Sequence, residues 1–312
     1  MNDSPRYLNY ADNLTSQGIY FDPLNFWYIS YVFFVYLSQL IENNHWIIIL
    51  NQYVLGYLAT LAIFLTTKRL TNSLLAATLA ATVFIVFPDN LNWHSYVLTE
   101  SFYCSILSIT FYMLVKTYQE RGLSSYIMTG LLLVVCFFVK PTSPALFIAL
   151  SFPFVWKWLN KPPHQILKFA SLMVIGTLFL FLANKMISSH QVMLIYENGD
   201  IIFAMHEFPS HPHHDWMTVD IPEDLVKSSP DQPLIQQMAG FVISNPVYFA
   251  KLFFGKMIMF VTHIRTYWSW SHNVAMIVIL WPLYFFGLRA IRKRLVSNYL
   301  GTFSIVYFII HT

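Results

Sequence analysis

The sequence predicts an all-α, polytopic integral membrane protein, and three observations carry that prediction. Of the 312 residues, 56% are hydrophobic and only 11% are charged, whereas charged residues make up about a quarter of a soluble domain. The mean hydropathy is +0.53. Apolar runs close to about 20 residues, the length a helix needs to cross a bilayer, recur along the chain. We expect a helix bundle with juxtamembrane helices and one large extracytoplasmic loop.

The predicted helices are joined by short connections, which favours antiparallel neighbours in one bundle. In chain order they are an aromatic segment at 26–41, spans at 46–67, 72–88, 95–117, 124–140, 143–159 and 166–186, a short helix at 246–262 after a polar stretch at 187–245, a span at 273–289 and a final run from 298. We divide the chain into a first extracytoplasmic loop with juxtamembrane helices (1–45), a transmembrane bundle (46–186), an extracytoplasmic loop with a return helix (187–272) and C-terminal helices (273–312).

The distribution of basic residues predicts the orientation of the bundle. Lysine and arginine gather at alternate helix ends, and such ends are cytoplasmic. The stretch 187–245 and the loop 88–95 are then extracytoplasmic. The segment 26–41 is the ambiguous element, because a span there would put residues 1–25 in the cytoplasm. Its 16 residues are rich in tyrosine, which favours a helix lying along the outer surface. The basic groups are Lys68/Arg69, Lys116/Arg121, Lys157/Lys161/Lys168 and Arg289/Arg292/Lys293/Arg294.

The polar N-terminal stretch NDSPRYLNYADNL predicts a helix over residues 3–14, capped by Asp3 or Ser4, with Pro5 in the first turn. Its apolar face, formed by Tyr7, Tyr10, Ala11 and Leu14, is expected to rest on the membrane surface. Asp3 then lies at the positive end of the helix dipole, which favours the ionised carboxylate. Two interpretations stay open: Asp3 is a helix cap, or it is a general base at the membrane edge.

Two isolated charges lie near the predicted outer ends of spans. Glu100, in SYVLTESFY, is either a water-exposed residue of the first helical turns or a functional carboxylate facing a cavity. Lys140, in FFVKPTSPAL, is followed by a helix break at Pro141. Its ammonium group either snorkels to lipid phosphate or binds a phosphate-bearing substrate.

The polar stretch after residue 186 contains two further candidate sites. The segment HEFPSHPHHDW holds His206, His211, His213, His214 and Asp215. Imidazole and carboxylate ligands at this density suit Zn²⁺ or another divalent ion, but Pro209 and Pro212 indicate an irregular loop, so a solvated loop is the competing interpretation. The segment NPVYFAKLFFGKM carries Lys251 and Lys256, which either line a groove for a lipid phosphate or anchor the chain to anionic head groups.

Several classes of function are not supported. The sequence contains no P-loop, no glycine-rich dinucleotide turn and no local signature of a serine hydrolase. The net charge is +3, and the basic residues are scattered, so we expect no nucleic acid partner. Cys104 and Cys136 both lie within apolar runs, which favours packed core residues over a disulfide.

The order of these motifs resembles the GT-C glycosyltransferases that use polyprenyl-phosphate sugars, such as the protein O-mannosyltransferases and the aminoarabinose transferase. In that group an acidic residue opens a juxtamembrane helix of the form D-x-x-x-Y-x-x-x-A-x-x-L, followed by G-x-Y and a second helix led by proline. LTESFY, VKPTSPAL and SNPVYFAKLFF are similar to later segments of the family. The residues that match the first pattern are Asp3, Tyr7, Ala11, Leu14, Gly18, Tyr20 and Pro23.

The resemblance covers roughly residues 2–265, and it implies that the first loop is extracytoplasmic and that 26–41 is a second juxtamembrane helix. Family members have a transmembrane helix before this loop and continue beyond the last helices. We therefore expect this sequence to lack the first transmembrane helix and the C-terminal part, as a fragment would. Without the first helix, the loop that carries Asp3 has no N-terminal tether.

The resemblance implies a sugar transferase in the inner (plasma) membrane, with its active site on the extracytoplasmic side. The donor is a polyprenyl-phosphate sugar and the acceptor is a lipid, a glycan or a protein. Asp3 is the predicted base, Glu100 a second carboxylate, and Lys140, Arg6, Tyr7, Lys251 and Lys256 the substrate-binding residues. A divalent ion is a candidate cofactor. Two alternatives stay open, a transporter or lipid flippase that uses Glu100 and Lys140 as a buried ion pair, and an inactive membrane fragment.

Overall fold

The computed structural model describes residues 4–19, 25–120, 122–140, 143, 159, 189–202, 205–262, 264 and 269–292. Asp3 lies outside these residues. So do the predicted spans at 143–159 and 166–186, apart from Ser143 and Leu159 in the first of them, and the run from 298. The chain forms two compact units, Met1–Leu150 and Ser151–Thr312.

The first unit is a bundle of helices built around an aromatic core. A short 3₁₀ turn, Phe26–Tyr28, precedes its second helix. The helices are α1 (Ser4–Gln17), α2 (Ile29–Ile41), α3 (His45–Thr71), α4 (Leu74–Val86), α5 (Pro88–His94), α6 (Thr99–Glu120) and α7 (Leu123–Phe137).

Polar residues set the boundaries of α3 and α4. The Asn44 side chain accepts a hydrogen bond from the backbone N–H of Trp46 and caps the start of α3. Asn72 adopts a left-handed conformation, with φ of 53°, and ends α3. Ser73 then caps α4 by accepting from the N–H of Ala76 at 3.2 Å. The chain thus reverses within two residues, so the connection is short as expected, and α3 continues to Thr71, beyond the predicted end at 67.

Helices α3 and α6 pack side by side and run in the same direction. At one end the Gln52 amide donates to the carbonyl oxygens of His94 and Tyr96. At the opposite end the Arg69 guanidinium donates to Oε1 of Glu120 at 2.8 Å. The charged end that was expected to be cytoplasmic and the Gln52 end therefore lie at opposite ends of the first unit.

Residues 88–95 differ from the predicted loop. Pro88–His94 form the short helix α5, which is bent by 56° from α4. Pro88 occupies the first helical turn, where its missing N–H costs no hydrogen bond. Asp89 and His94 are 2% and 3% exposed. The polar composition that indicated a loop belongs instead to a short helix whose Asp89, Asn90 and His94 side chains are buried.

The N-terminal helix lies close to where the sequence predicted it, but its apolar face contacts protein. Tyr7, Tyr10, Ala11 and Leu14 are all buried and belong to one core cluster with Tyr31 of α2. The face that was expected to rest on the membrane thus packs on the helix 26–41. Helix α1 ends before Gly18, where φ is 84°, and the Tyr10 hydroxyl fastens the chain beyond it by donating to the carbonyl oxygen of Ile19 at 2.7 Å.

The second unit contains helices within the stretch that was expected to be a loop. They are α8 (Ser189–Glu197), α9 (His214–Met217), α10 (Leu234–Ser244), α11 (Pro246–Thr262) and α12 (Trp270–Arg292). The predicted return helix at 246–262 is confirmed as α11. A single bridge pairs Asp200 with Thr218 and closes the loop between α8 and α9.

Among the described residues, two helices are long and apolar enough to cross a membrane, His45–Thr71 and Trp270–Arg289. The bent pair α4–α5 makes a third if it counts as one span. Cys104 and Cys136 are free thiols, as predicted. The protein is an all-α membrane helix bundle.

Candidate active site

Glu100 and Lys140, which are 40 residues apart in sequence, form an ion pair in the first unit. The Lys140 Nζ atom lies 2.6 Å from Glu100 Oε1. The Thr99 hydroxyl donates to the other carboxylate oxygen at 3.3 Å. The side chains are 31% exposed for Glu100 and 23% exposed for Lys140. The pair is therefore accessible from outside the protein, and it lies at the end of the unit opposite Arg69 and Glu120.

Aromatic packing fixes the position of Lys140. The rings of Phe26 and Trp27 pack on Phe138 at centroid distances of 5.6 and 6.2 Å. The Ser30 N–H donates to the Phe138 carbonyl oxygen at 3.1 Å. Lys140 follows two residues later, with Nζ 5.8 Å from the centre of the Tyr103 ring. The helix 26–41 therefore holds the end of α7 that presents the ammonium group.

Tyr7 belongs to the aromatic core of the first unit, and the exposed Arg6 lies over two of its rings. The Arg6 guanidinium carbon lies 5.9 Å from the ring centre of Tyr7 and 5.6 Å from that of Tyr28. Tyr7 meets Tyr31 edge-on at 5.1 Å, and Tyr31 packs against Phe102 at 5.5 Å. Phe102 is two residues from Glu100, so the core that contains Tyr7 extends to the part of α6 next to the ion pair.

Tyr7 was predicted to bind substrate, but its side chain is only 3% exposed. Tyr7 contacts the rings of Tyr28 and Tyr31, and its role in substrate binding stays a prediction. Arg6 is exposed and stays a candidate for substrate binding. Sequence analysis also missed Thr99 and Tyr103, which position the ion pair. Their proximity in sequence to Glu100 was the available signal.

Lys251 and Lys256 are on α11, in the second unit. Lys251 is exposed, whereas Lys256 is half-buried, with Nζ 4.1 Å from the centre of the Tyr196 ring. Burial lowers the pKa of Lys256 to about 8, and the negative charge of Asp200 acts in the opposite direction. Burial, followed by the charges of Asp200 and Glu197, raises the pKa of Tyr248 to about 12. The Lys256 ammonium group is therefore partly desolvated and lies against an aromatic ring.

We expect the contribution of Lys256 to the stability of the protein to rise as the pH increases from about 8 to 10.5. Between the folded-state pKa of about 8 and the ordinary value of 10.5 for Lys256, the unfolded chain binds more protons than the folded chain, so unfolding becomes less favourable. Lys256→Met removes this ammonium and should flatten the dependence. The exposed lysine of the same helix is the control, because Lys251→Met should keep the wild-type slope. Thermal unfolding of the detergent-solubilised proteins at several pH values measures this dependence for each variant. If the midpoint of Lys256→Met rises with pH as steeply as that of the wild type, the expectation is wrong.

The histidine-rich segment does not form the predicted metal site among the described residues. No group of three or more His, Cys, Asp or Glu side chains in that part of the chain is placed to hold a metal ion. The His211 ring accepts from the backbone N–H of His213, and the His213 ring packs against tryptophans. The Asp215 side chain is fully exposed. The metal hypothesis therefore gains no support from this geometry.

A carboxylate–imidazole pair that the sequence analysis did not single out organises the same region. Asp200 is fully buried, and its two oxygens accept from the backbone N–H of His206 at 2.8 Å and from His206 Nδ1 at 2.6 Å. The Asp200–Thr218 bridge lies next to this contact. Both hydrogen bonds are local, so the pair closes the turn after α8 and starts the short 3₁₀ helix at Met205–Glu207.

The part of the chain that carries Glu100 and Lys140 matches a known protein family. Residues 23–185, just over half of the chain, match the family model described as dolichyl-phosphate-mannose-protein mannosyltransferase. The chain belongs to this mannosyltransferase family. The family is of the GT-C type, so the predicted superfamily is confirmed. No curated protein and no solved structure matches the chain.

The mannosyltransferase match includes Glu100 and Lys140 and ends before the polar stretch. The protein is therefore a membrane glycosyltransferase of the GT-C kind. Asp3, Arg6 and Tyr7 precede the matched residues, and Lys251 and Lys256 follow them. Roles for those five residues depend on their chemistry and surroundings, not on the family assignment.

Proposed function

We propose that this glycosyltransferase moves a sugar from a polyprenyl-phosphate donor to an acceptor hydroxyl or amine at the extracytoplasmic surface of the plasma membrane. The observation that carries the proposal is the Glu100–Lys140 contact of 2.6 Å within the family-matched residues. A lipid-phosphate leaving group needs a cation at the membrane edge, because its negative charge grows as the glycosidic bond breaks. Lys140 is such a cation, partly exposed at the end of the bundle.

Lys140 interacts with the phosphate of the donor in this account. An ammonium group has three N–H donors, and one of them is directed at Glu100. Within the described part of the chain the other two have no hydrogen-bond acceptor, and we assign them to phosphate oxygens of the donor. Glu100, which is held by the Thr99 hydroxyl, orients the ammonium. A role for Glu100 in orienting the acceptor, or in holding a divalent ion, is the alternative assignment for the same carboxylate.

Asp3 acts as the general base in the proposed reaction. Its carboxylate takes the proton of the acceptor as the acceptor oxygen or nitrogen attacks the anomeric carbon. The bond from the anomeric carbon to the phosphate oxygen breaks, and polyprenyl phosphate leaves. A single displacement inverts the anomeric configuration. Support comes from the sequence, in which Asp3 immediately precedes α1, and from the packing of that helix on the core that also contains Phe102.

The surroundings of the ion pair do not favour the transporter alternative. A buried pair near the middle of a span is expected for a transport pathway. Glu100 is in the first turn of α6, and Lys140 follows the end of α7. About a quarter to a third of each side chain is exposed. The pair therefore suits a reaction at the membrane surface better than passage through the bilayer.

A donor panel tests the proposed function. Membranes that contain the protein are incubated with radiolabelled mannose, glucose, galactose or aminoarabinose, each supplied as the polyprenyl-phosphate ester or as the nucleotide ester. We expect transfer from at least one polyprenyl-phosphate sugar and none from the nucleotide sugars. Transfer from nucleotide sugars alone, or from no donor while a known transferase is active in the same membranes, would overturn the proposal.

A further inference from the structure

Two tryptophans from separate parts of the second unit stack on each other. The rings of Trp216 in α9 and Trp270 in α12 are nearly parallel, at 7°, with centroids 5.7 Å apart. The His213 ring meets both edge-on, at 5.1 and 5.9 Å. Trp216 is 39% exposed and Trp270 is 57% exposed. We call these three residues the tryptophan cluster.

The position of Trp270 indicates what covers this surface. Trp270 is the first residue of α12, which is one of the two described helices long and apolar enough to cross a membrane. Ser269 caps the helix by accepting from the His272 N–H at 3.2 Å. Tryptophan at the end of a membrane span lies at the level of the lipid head groups, where an apolar ring with a polar N–H is best solvated.

The rest of α12 provides a lipid-facing surface that is continuous with the cluster. Only 11% of the most apolar stretch of α12, within Trp270–Arg289, is buried in the protein. Val278, Phe286 and Leu288 are each more than 60% exposed. An apolar helix this exposed needs lipid around it, because water would solvate it poorly. The exposed ring of Trp270 is the first member of that surface.

Trp216 is attached to the rest of the second unit through the residue that follows it. The next residue, Met217, is fully buried and packs with Met205 and Met259. Its carbonyl oxygen accepts from the Ile201 N–H at 3.0 Å. The short helix α9 is therefore fastened to the second unit through Met217, while Trp216 extends to the start of the membrane helix.

We propose that residues 211–217 lie in the head-group layer of the bilayer, docked there by the tryptophan cluster. The partner of this surface is lipid. This assignment differs from both expectations for the histidine-rich segment, a metal site and a solvated loop. It makes α9 a membrane-surface element of the second unit, and it does not depend on the proposed transferase activity.

Site-directed spin labelling tests the proposal on the full chain, purified and reconstituted as single copies in phosphatidylethanolamine–phosphatidylglycerol nanodiscs. Cys104 and Cys136 are replaced by alanine, and one label is introduced through Asp215→Cys. A matched label is introduced through Ser229→Cys, since both native side chains are exposed in the same unit. We expect the label at 215 to have a several-fold higher ratio of oxygen accessibility to aqueous nickel-chelate accessibility than the label at 229. Equal ratios would overturn the proposal.

A second pair of variants tests the role of the stacked rings. In the Asp215→Cys background, Trp216→Ala should lower the ratio towards the value at 229, whereas Trp216→Phe should keep it. An unchanged ratio in Trp216→Ala would mean that the cluster does not dock the segment. Burial within the protein would lower access of both reagents, whereas lipid favours oxygen over the polar nickel chelate, so a higher ratio at 215 indicates contact with lipid. If Trp216→Ala does not fold, the comparison of the labels at 215 and 229 still tests whether residues 211–217 lie in the head-group layer.

Discussion

Replacing Asp3 by asparagine is expected to lower sugar transfer by roughly 10²–10⁴-fold, the typical contribution of a positioned general base. The amide keeps the size of the side chain and its capacity to cap α1, but it cannot accept the proton of the acceptor. KM for the donor should change little, because the donor phosphate is assigned to Lys140. Initial rates of transfer from the polyprenyl-phosphate sugar, measured at several donor concentrations, separate these effects.

The control for this variant is Asp12, an aspartate within α1. Asp12 is exposed and accepts a hydrogen bond from Gln39 at 2.9 Å, and Asp12→Asn should leave transfer near the wild-type rate. Full activity in Asp3→Asn would contradict the assignment of Asp3. The base would then have to be another carboxylate, and Glu100 is the first candidate.

Neutralising either member of the Glu100–Lys140 pair should have the second-largest effect. Lys140→Met removes the cation assigned to the leaving phosphate, and we expect a loss of about 10²–10³-fold in kcat, comparable to the removal of one transition-state donor. Glu100→Gln should cost about tenfold to a hundredfold if it acts by orienting the ammonium. A partly exposed ion pair contributes roughly 0–1 kcal/mol to stability, so the thermal unfolding of both variants should stay close to wild type.

The opposite end of the first unit supplies matched controls. Glu120 is on α6, as Glu100 is, and its partner Arg69 lies at 2.8 Å. Glu120→Gln and Lys116→Met make the same chemical changes away from the proposed site, and both should retain wild-type transfer. If all four variants lose activity equally, a general loss of folding explains the result and the assignment fails.

The double variant separates the two roles of Glu100. If Glu100 acts through Lys140, then Glu100→Gln/Lys140→Met should be no slower than Lys140→Met alone, because residues acting as one unit are not additive. If Glu100 binds the acceptor independently, the two losses should multiply. The rates of the two single variants and the double variant, measured at saturating donor, distinguish these outcomes.

Local sequence patterns predicted much of the first unit. The helical spacing of Tyr7, Tyr10, Ala11 and Leu14 identified the buried face of α1, and the basic residues Lys68 and Arg69 marked the end of α3. What periodicity did not identify was the partner of that face. A row of tyrosines suits a membrane surface and an aromatic protein core equally well, and packing against Tyr31 depends on a tertiary arrangement.

The candidate site was only partly predictable for the same reason. Glu100 and Lys140 each stood out as a charge in an apolar run, and only the transporter alternative paired them. Their contact joins residues 40 positions apart, and no local pattern encodes it. The helix α5 was missed because proline and polar residues are also the composition of a loop. The histidines suggested metal ligands, yet their backbone path places the His213 ring against Trp216 and Trp270.

The most direct test of the account is a single-turnover reaction with the purified protein in nanodiscs and labelled polyprenyl-phosphate sugar, with both products quantified. We expect equal amounts of glycosylated acceptor and polyprenyl phosphate, an inverted anomeric centre, and formation of product by Asp3→Asn that is slower by roughly 10²–10⁴-fold. Retention of configuration would contradict the single displacement. Bound donor with no transfer to any hydroxyl or amine acceptor, under conditions where a known transferase is active, would contradict the proposed function itself.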